Sequence, residues 1–186
     1  DRMAFVLELA RQNVRRGTGG PFAAAVFDAT NHTLVAPGVN VVISQGCSIA
    51  HAEILALALA QRRLHSHDLG APGISACELT TSAAPCAMCL GAIPWSGVRR
   101  VVCGAREEDA RAAGFDEGDK PAGWSRKLAR RGIAVFEDVR RAQAAGVLAE
   151  YARGGGMIYN SRRAPASTAT ASPPPQKKSG VISRRS

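Results

Sequence analysis

Residues 50–53 read Ala-His-Ala-Glu and residues 85–89 read Pro-Cys-Ala-Met-Cys, and the rest of the chain can be interpreted around these two stretches. His51, Cys86 and Cys89 offer one imidazole and two thiolates, which are common ligands of tetrahedral zinc. Three protein ligands leave the fourth position open for water, as in catalytic zinc sites. The alternatives are a core histidine beside a buried cysteine pair, and a structural zinc with a fourth ligand. The pattern favours the open, catalytic form.

Glu53 follows His51 closely enough to act as a proton carrier beside the metal. Zinc lowers the pKa of a bound water towards neutrality, which makes hydroxide available as a nucleophile. Attack on an amidine-like ring carbon requires protonation of the ring nitrogen and later of the departing amine. One carboxylate can carry a proton to each of these places in turn. The alternative role for Glu53 is that of a solvated carboxylate in the first turn of a helix.

Apolar periodicity divides the rest of the chain into helices and strands. Helices are predicted over residues 3–16, 51–65, 86–97, 122–131 and 139–153. Strands are predicted over residues 22–28, 34–35 continuing at 39–43, 77–82, 98–103 and 133–136. The apolar side predicted for the second helix consists of Ile54, Leu55, Ala58 and Leu59.

Strands that are separated by helices imply right-handed crossovers and a largely parallel sheet with helices on both faces. The first two strands form a hairpin at one side. The predicted fold is therefore α/β, a three-layer α/β/α sandwich with a five-stranded mixed sheet. His51 and Cys86 each open a helix, so two helix N-termini converge at one end of the sheet, where their dipoles favour thiolates.

Most of the formal charge of +9 lies at the C-terminal end. Residues 161–186 contain six Lys and Arg and no acid, which leaves +3 for residues 1–160. This Pro/Ser/Thr-rich segment cannot bury enough apolar surface to fold, so we predict one domain at 1–160 and a disordered tail at 161–186. The small charge of the domain makes a nucleic-acid partner unlikely.

Cysteine usage and hydropathy indicate a reduced, cytoplasmic protein without a membrane span. Five cysteines are an odd number, and Cys47, Cys77 and Cys103 remain in segments that read as buried or nearly so. No apolar run approaches the roughly 20 residues that cross a bilayer, and no signal peptide is visible. The chain begins at Asp1 rather than at a methionine.

The two motifs together resemble the H-x-E…P-C-x-x-C signature of the cytidine deaminase superfamily. Residues 20–24, Asn40, residues 114–118 and residues 155–160 narrow the resemblance to small bacterial guanine deaminases of this type. It covers roughly residues 1–160. It implies a cytidine-deaminase-like fold, bound zinc and hydrolysis of a free nucleobase, most simply guanine to xanthine and ammonia.

The resemblance also implies substrate contacts. Asn40 would hydrogen-bond the purine, and Phe22 would pack on the base. Asp116 or Glu117 would accept hydrogen bonds from the N1–H and amino group of guanine, which are donors. Trp95 is either a pocket wall or part of the core. The structural alternatives are a turn residue for Asn40, core packing for Phe22 and a solvated acidic loop.

Tyr159 lies in a segment that, in the resembling family, covers the active site, often that of the partner subunit in a domain-swapped homodimer. Its alternative role is to complete the core of its own chain. One departure from the family is Ala84, since a glutamate commonly precedes the Pro-Cys pair. The polar support around Cys86 is therefore expected to differ.

Other functions fit the same zinc motif. A tRNA adenosine deaminase would need a basic, aromatic-bearing surface for RNA. The last helix and the residues just before it instead carry Glu137, Asp138 and Glu150 among the arginines. Deaminases of cytosine, cytidine or aminotriazines are further alternatives. A non-catalytic zinc-binding interaction module is a remote one, and the presence of Glu53 argues against it.

Overall fold

The computed structural model describes residues 1–160, so the predicted tail at 161–186 lies outside the described residues. In the described part, helices and strands alternate along the chain. Their order is α1 (Arg2–Arg15), β1 (Ala23–Asp28), β2 (Leu34–Val39), α2 (Val42–Gln45), α3 (Ala52–Arg63), β3 (Cys77–Ala83), α4 (Ala87–Ser96), β4 (Arg100–Ala105), α5 (Glu107–Ala112), α6 (Trp124–Ala129), β5 (Ala134–Phe136) and α7 (Arg141–Arg153). None of these helices is long and apolar enough to cross a membrane.

The strands form one five-stranded mixed sheet in the order β2-β1-β3-β4-β5. Strand β1 pairs antiparallel with both β2 and β3, whereas β3, β4 and β5 are parallel to one another. The parallel pairs are joined by segments that contain α4 and α6, as crossover connections require. The predicted mixed sheet with a hairpin at one side is confirmed.

Alternating side chains of β1 show that both faces of the sheet are covered. Ala24 and Val26 belong to an apolar cluster with α3, α4 and α6. Ala23, Ala25 and Phe27 belong to a second cluster with α1 and α7. Because neighbouring residues of a strand point to opposite faces, these two clusters are separate helical layers on the two sides of the sheet. The α/β/α sandwich predicted from the sequence is therefore correct.

Helix α3 buries a different side from the predicted one. Its buried residues are Ala52, Glu53, Ala56, Leu57 and Ala60. The small residues of this side let the helix approach β2 closely. A Cβ on Gly38 of β2 would lie only 2.2 Å from the carbonyl oxygen of Ala52. Close backbone approach, rather than the bulk of Ile54 and Leu55, therefore decides which side of α3 meets the sheet.

Two local predictions also differ from the structure. The predicted strand at 39–43 ends at Val39, and Val42–Gln45 form the short helix α2. The Asn40 side chain accepts a hydrogen bond from the Val42 N–H at 3.3 Å and thereby turns the chain out of the sheet. Helix α5 was not predicted, because its six residues are too short to show an apolar period.

Candidate active site

The structure brings the three predicted metal ligands together. His51 is the N-cap residue of α3 and Cys86 is the N-cap residue of α4. The Nδ1 atom of His51 lies 3.5 Å from Sγ of Cys86 and 3.7 Å from Sγ of Cys89. One ligand atom from each of the three residues lies within 4.8 Å of the others. This donor set fits tetrahedral zinc with three protein ligands.

Backbone hydrogen bonds hold the turn that carries Cys86. The N–H of Ala84 donates to Ala105 at 2.8 Å, and the N–H of Ala87 donates to the carbonyl of Glu117 at 2.9 Å. Ala84 itself contributes no polar side-chain atom. The carbonyl of Pro85 instead accepts a hydrogen bond from Nζ of Lys120 at 3.1 Å.

The two cysteines share their protons unequally. The hydrogen bond from the Cys89 thiol and the contact with His51 together lower the pKa of Cys86 to about 4, although burial acts in the opposite direction. The same bond, together with burial, raises the pKa of Cys89. Bound zinc requires both sulfurs as thiolates, so metal binding displaces the shared proton.

Glu53 lies beside this donor set in the first turn of α3 and is buried. Burial is the main cause that raises the pKa of its carboxyl above the ordinary value, and the charge of the Cys86 thiolate adds to it. A buried carboxyl next to three metal ligands is in the right place to take up and release a proton. This position matches the role that the sequence predicts for Glu53.

A cavity of about 380 Å³ opens over the donor set and Glu53. Five of the six predicted substrate-binding residues line it. They are Phe22, Asn40, Asp116, Glu117 and Tyr159. The volume lies in the usual range for small-molecule sites. The segments that supply these residues are far apart in the sequence and converge only in the folded chain.

Aromatic rings form one wall of the cavity. The rings of Phe22 and Phe115 meet edge to face with centroids 4.7 Å apart, and Phe115 meets Tyr159 in the same way at 5.7 Å. The Tyr159 ring centroid lies 6.4 Å from that of His51. Phe115 was not predicted as a site residue. Its position directly before the acidic pair 116–117 was the available signal.

Asn40 both lines the cavity and acts as a turn residue. It is fully buried and lines the cavity, and its side-chain oxygen also accepts the hydrogen bond from Val42. Its carbonyl accepts a hydrogen bond at 2.7 Å from the buried side chain of Asn13, which also donates to Gly20 at 2.8 Å. Asn13 was missed, because a polar residue in an amphipathic helix normally faces water.

The structure distinguishes the two acidic residues of the 114–118 loop. The Glu117 side chain is buried, and its Oε2 has no hydrogen-bond partner within the described residues. Burial raises its pKa to about 7, although the nearby Lys120 ammonium acts in the opposite direction. The Asp116 carboxylate accepts a hydrogen bond from the N–H of Gly118 at 3.0 Å. Glu117 therefore lines the cavity with a carboxylate of which one oxygen accepts no hydrogen bond within the described residues.

Trp95 does not join the other predicted residues. Its side chain is 86% exposed at the end of α4, and the cavity lining found in residues 1–160 does not include it. The prediction that it forms a pocket wall is thus not supported in the single chain. Helix α4 is apolar around most of its circumference, so the sequence alone cannot indicate which side faces the sheet.

Residues 154–160 close over the cavity of their own chain. Asn160 donates to the carbonyl of Gly114 at 3.0 Å and accepts from the N–H of Asp116 at 2.7 Å. The carbonyl of Met157 accepts a hydrogen bond from the Tyr151 hydroxyl at 2.9 Å. These contacts bring Tyr159 and the 114–118 loop together at the mouth of the cavity.

The mixed five-stranded sheet brings two helix N-termini together at one site. They present one histidine, two cysteines and a buried glutamate, and this arrangement defines the class of zinc-dependent deaminases. The family model described as the cytidine and deoxycytidylate deaminase zinc-binding region matches residues 1–105. The chain belongs to this family, and zinc is its cofactor.

Guanine deaminases are among the relatives of this chain. The chain is 39% identical over 120 residues to the guanine deaminase of Bacillus subtilis, a match that covers 61% of this chain and 72% of that protein. It is 54% identical to NE0047, solved with 2,6-diaminopurine, with a TM-score of 0.82 over 86% of this chain and 84% of that one. It is 53% identical to the solved guanine deaminase of Nitrosomonas europaea, with a TM-score of 0.80 over 82% and 83% of the two chains.

Proposed function

We propose that this chain is a zinc-dependent hydrolase that deaminates the free base guanine to xanthine and ammonia. The observation that carries the proposal is the juxtaposition of two sets of groups in one cavity. The zinc donor set and Glu53 lie on one side, and the same space is lined by Asn40 and by Glu117, whose Oε2 accepts no hydrogen bond within the described residues. The identity to guanine deaminases supports the choice of base.

His51, Cys86 and Cys89 would hold the zinc ion. When bound, zinc supplies a Lewis acid that lowers the pKa of a water molecule. Glu53 would accept a proton from the attacking water and donate it to the ring nitrogen. It would then take the remaining proton of the added hydroxyl and donate it to the leaving amine. Its burial beside the donor set supports this assignment, since burial raises the pKa of the carboxyl and so favours its holding a proton between transfers.

Glu117 would recognise guanine through its hydrogen-bond donors. Guanine presents an N1–H and an amino group, and a carboxylate only accepts. Asn40 would bind the purine through its amide, and the rings of Phe22 and Phe115 would pack against the base. Variants of NE0047 with an asparagine or a glutamate replaced were solved with 8-azaguanine. Those two positions are separated along their chain by the same number of residues as Asn40 and Glu117.

Ammonia release tests the proposed function directly. We would assay the zinc-loaded protein against guanine, guanosine, adenine, cytosine, cytidine, ammeline and an adenosine-bearing tRNA stem-loop. Guanine should be turned over well ahead of adenine, cytosine and cytidine, because none of these carries a ring N–H beside its amino group for Glu117. Guanosine and ammeline share such donors, so their turnover tests whether the cavity accepts a ribose or a triazine. Activity on the tRNA stem-loop alone, or on cytosine in preference to guanine, would overturn the assignment of the base.

We also propose that the enzyme is a homodimer. On α4, Met88 and Trp95 are seven positions apart and so lie on one exposed side of the helix. An exposed tryptophan beside a second large apolar residue is a typical anchor for a protein interface.

The cytoplasmic location stays a prediction from cysteine usage.

Domain swapping through residues 154–160 stays a prediction that subunit mixing can test. A Glu53→Gln chain keeps its closing segment, and a Tyr159→Ala chain keeps its Glu53. In a swapped heterodimer the intact segment of the first chain covers the intact site of the second, so mixing and refolding the two should recover activity above that of Tyr159→Ala alone. No recovery in a proven heterodimer would mean that each segment closes its own site.

A further inference from the structure

Lys120 is a buried cation that lies between the zinc-binding turn and the acidic loop. Its side chain is only 3% exposed. Its Nζ lies 2.9 Å from Oε2 of Glu107, 3.1 Å from the carbonyl oxygen of Pro85 and 3.6 Å from Oε2 of Glu117. The ammonium also lies 5.8 Å from the centroid of the Trp124 ring. Neither the zinc motif nor the predicted substrate contacts include this residue.

A buried lysine needs compensation, because removing an ammonium from water is costly. Glu107 supplies most of this compensation from the outer side, where it also pairs with Arg111 at 2.7 Å. The distance of 3.6 Å to Glu117 is too long for a strong hydrogen bond but short enough for a charge interaction. The oxygen that faces Lys120 is Oε2, the buried atom that accepts no hydrogen bond within the described residues. Lys120 therefore attracts the Glu117 carboxylate through its charge, without a hydrogen bond to it.

The contact with Pro85 links the same lysine to the metal site. Pro85 directly precedes Cys86, and Ala84 on its other side has no polar side-chain atom. The Lys120 ammonium is thus a side-chain hydrogen-bond donor to the turn that presents Cys86. A single charged group thus lies against both the turn that carries Cys86 and a carboxylate that lines the cavity.

We propose that Lys120 is a positioning residue, which holds Glu117 as a hydrogen-bond acceptor for the base and fixes that carboxylate relative to the Pro85–Cys86 turn. This inference rests on the proposed function, since it assumes that Glu117 meets the donors of a guanine-like base. It predicts that the effect of Lys120 on ligand binding passes through Glu117. A merely structural lysine would have an effect that does not depend on Glu117.

A double-mutant cycle separates these two cases. We would measure calorimetrically the binding of 8-azaguanine to zinc-loaded protein that carries Glu53→Gln, so that no turnover interferes. Lys120→Met should weaken binding about tenfold when Glu117 is present, the size expected for losing an interaction with a charged group. In a Glu117→Gln background, the same change should weaken binding less than about twofold. Equal weakening in both backgrounds, or none in either, would overturn the proposal.

Further variants keep the test decisive if Lys120→Met does not fold. Lys120→Gln keeps a donor for Pro85 but loses the charge, so it should retain zinc and show the same dependence on Glu117. Lys120→Gln replaces Lys120→Met in the double-mutant cycle if the latter does not fold. Lys127→Met, on the exposed side of α6, is the matched control and should leave zinc content, melting temperature and binding unchanged.

The wild-type ammonia assay distinguishes a failure of the proposed function from a failure of the role proposed for Lys120. If the wild type releases no ammonia from guanine, the proposed function fails whatever Lys120 does. If it does release ammonia, but Lys120→Met weakens binding equally in both backgrounds, then only the role of Lys120 fails.

Discussion

His51, Glu53 and Cys86 lie at the starts of α3 and α4, whereas Glu117 and Tyr159 lie on segments without regular secondary structure. The first group, together with Cys89, is the catalytic half of the proposed site. The second group, together with Asn40, is the recognition half. Two long helices packed on the sheet fix the catalytic half. The recognition half depends on a few hydrogen bonds between loops and on Lys120.

Because the two halves are held in place differently, we expect them to control different kinetic parameters. Groups on packed helices keep their geometry without ligand, which suits proton transfer and metal binding. Loops over the same sheet can change their contacts and hence the base that is bound. We therefore expect changes in the catalytic half to lower kcat, and changes in the recognition half to act mainly on KM and ligand affinity.

The largest effect is expected from Glu53→Gln. Loss of the proton carrier should lower kcat by about 10²–10⁴-fold, the usual contribution of general acid–base catalysis. Zinc should remain bound, because the donor set is intact. Ammonia release and zinc content per chain measure the two effects separately. Glu150→Gln on the exposed side of α7 is the control, and turnover of Glu53→Gln close to that of the wild type would refute the mechanism.

The catalytic half was also the part that the sequence predicted best. Its residues lie in two short motifs, and the N-terminus of a helix presents each motif, so spacing along the chain translates directly into geometry. The buried side of α3 and the exposure of Trp95 could not be predicted in the same way. They depend on how closely a helix approaches the sheet, and Gly38 shows that backbone contact decides this for α3.

The recognition half could be predicted only through resemblance to a family. The acidic pair at 116–117 gave no internal signal of which carboxylate faces the cavity. The two carboxylates are told apart by contacts that form only in the folded chain. Lys120 and Asn160 contact the loop from outside, and the N–H of Gly118 binds Asp116 within it. Lys120 itself has the sequence context of a surface lysine. Its burial follows from the three-dimensional arrangement of Glu107 and Trp124 around it.

An intermediate effect is expected from Glu117→Gln. The amide keeps the size of the side chain but replaces one acceptor with a donor, which faces the donors of guanine. We expect kcat/KM for guanine to fall about 10–100-fold, because a hydrogen bond to a charged group contributes about 1.5–3 kcal/mol. Steady-state kinetics should show most of this loss in KM.

Asp116→Asn is the paired variant that sharpens this prediction. Its carboxylate contacts the N–H of Gly118 within the loop, so the change should lower kcat/KM less than about fivefold. A larger loss for Asp116→Asn than for Glu117→Gln would exchange their proposed roles. Zinc content should be unchanged in both variants, since neither residue belongs to the donor set.

The smallest effect is expected from Asn160→Ala, which removes the two hydrogen bonds between the closing segment and the 114–118 loop. Both bonds are partly exposed to water, so their loss should cost about 1 kcal/mol and raise KM for guanine about fivefold. The value of kcat should change less than twofold, because the catalytic half is untouched. Asn160→Asp keeps the acceptor for the Asp116 N–H and should recover part of the loss. If Asn160→Ala lowers kcat instead of raising KM, the closing segment acts on the catalytic half, and the division between the two halves is wrong.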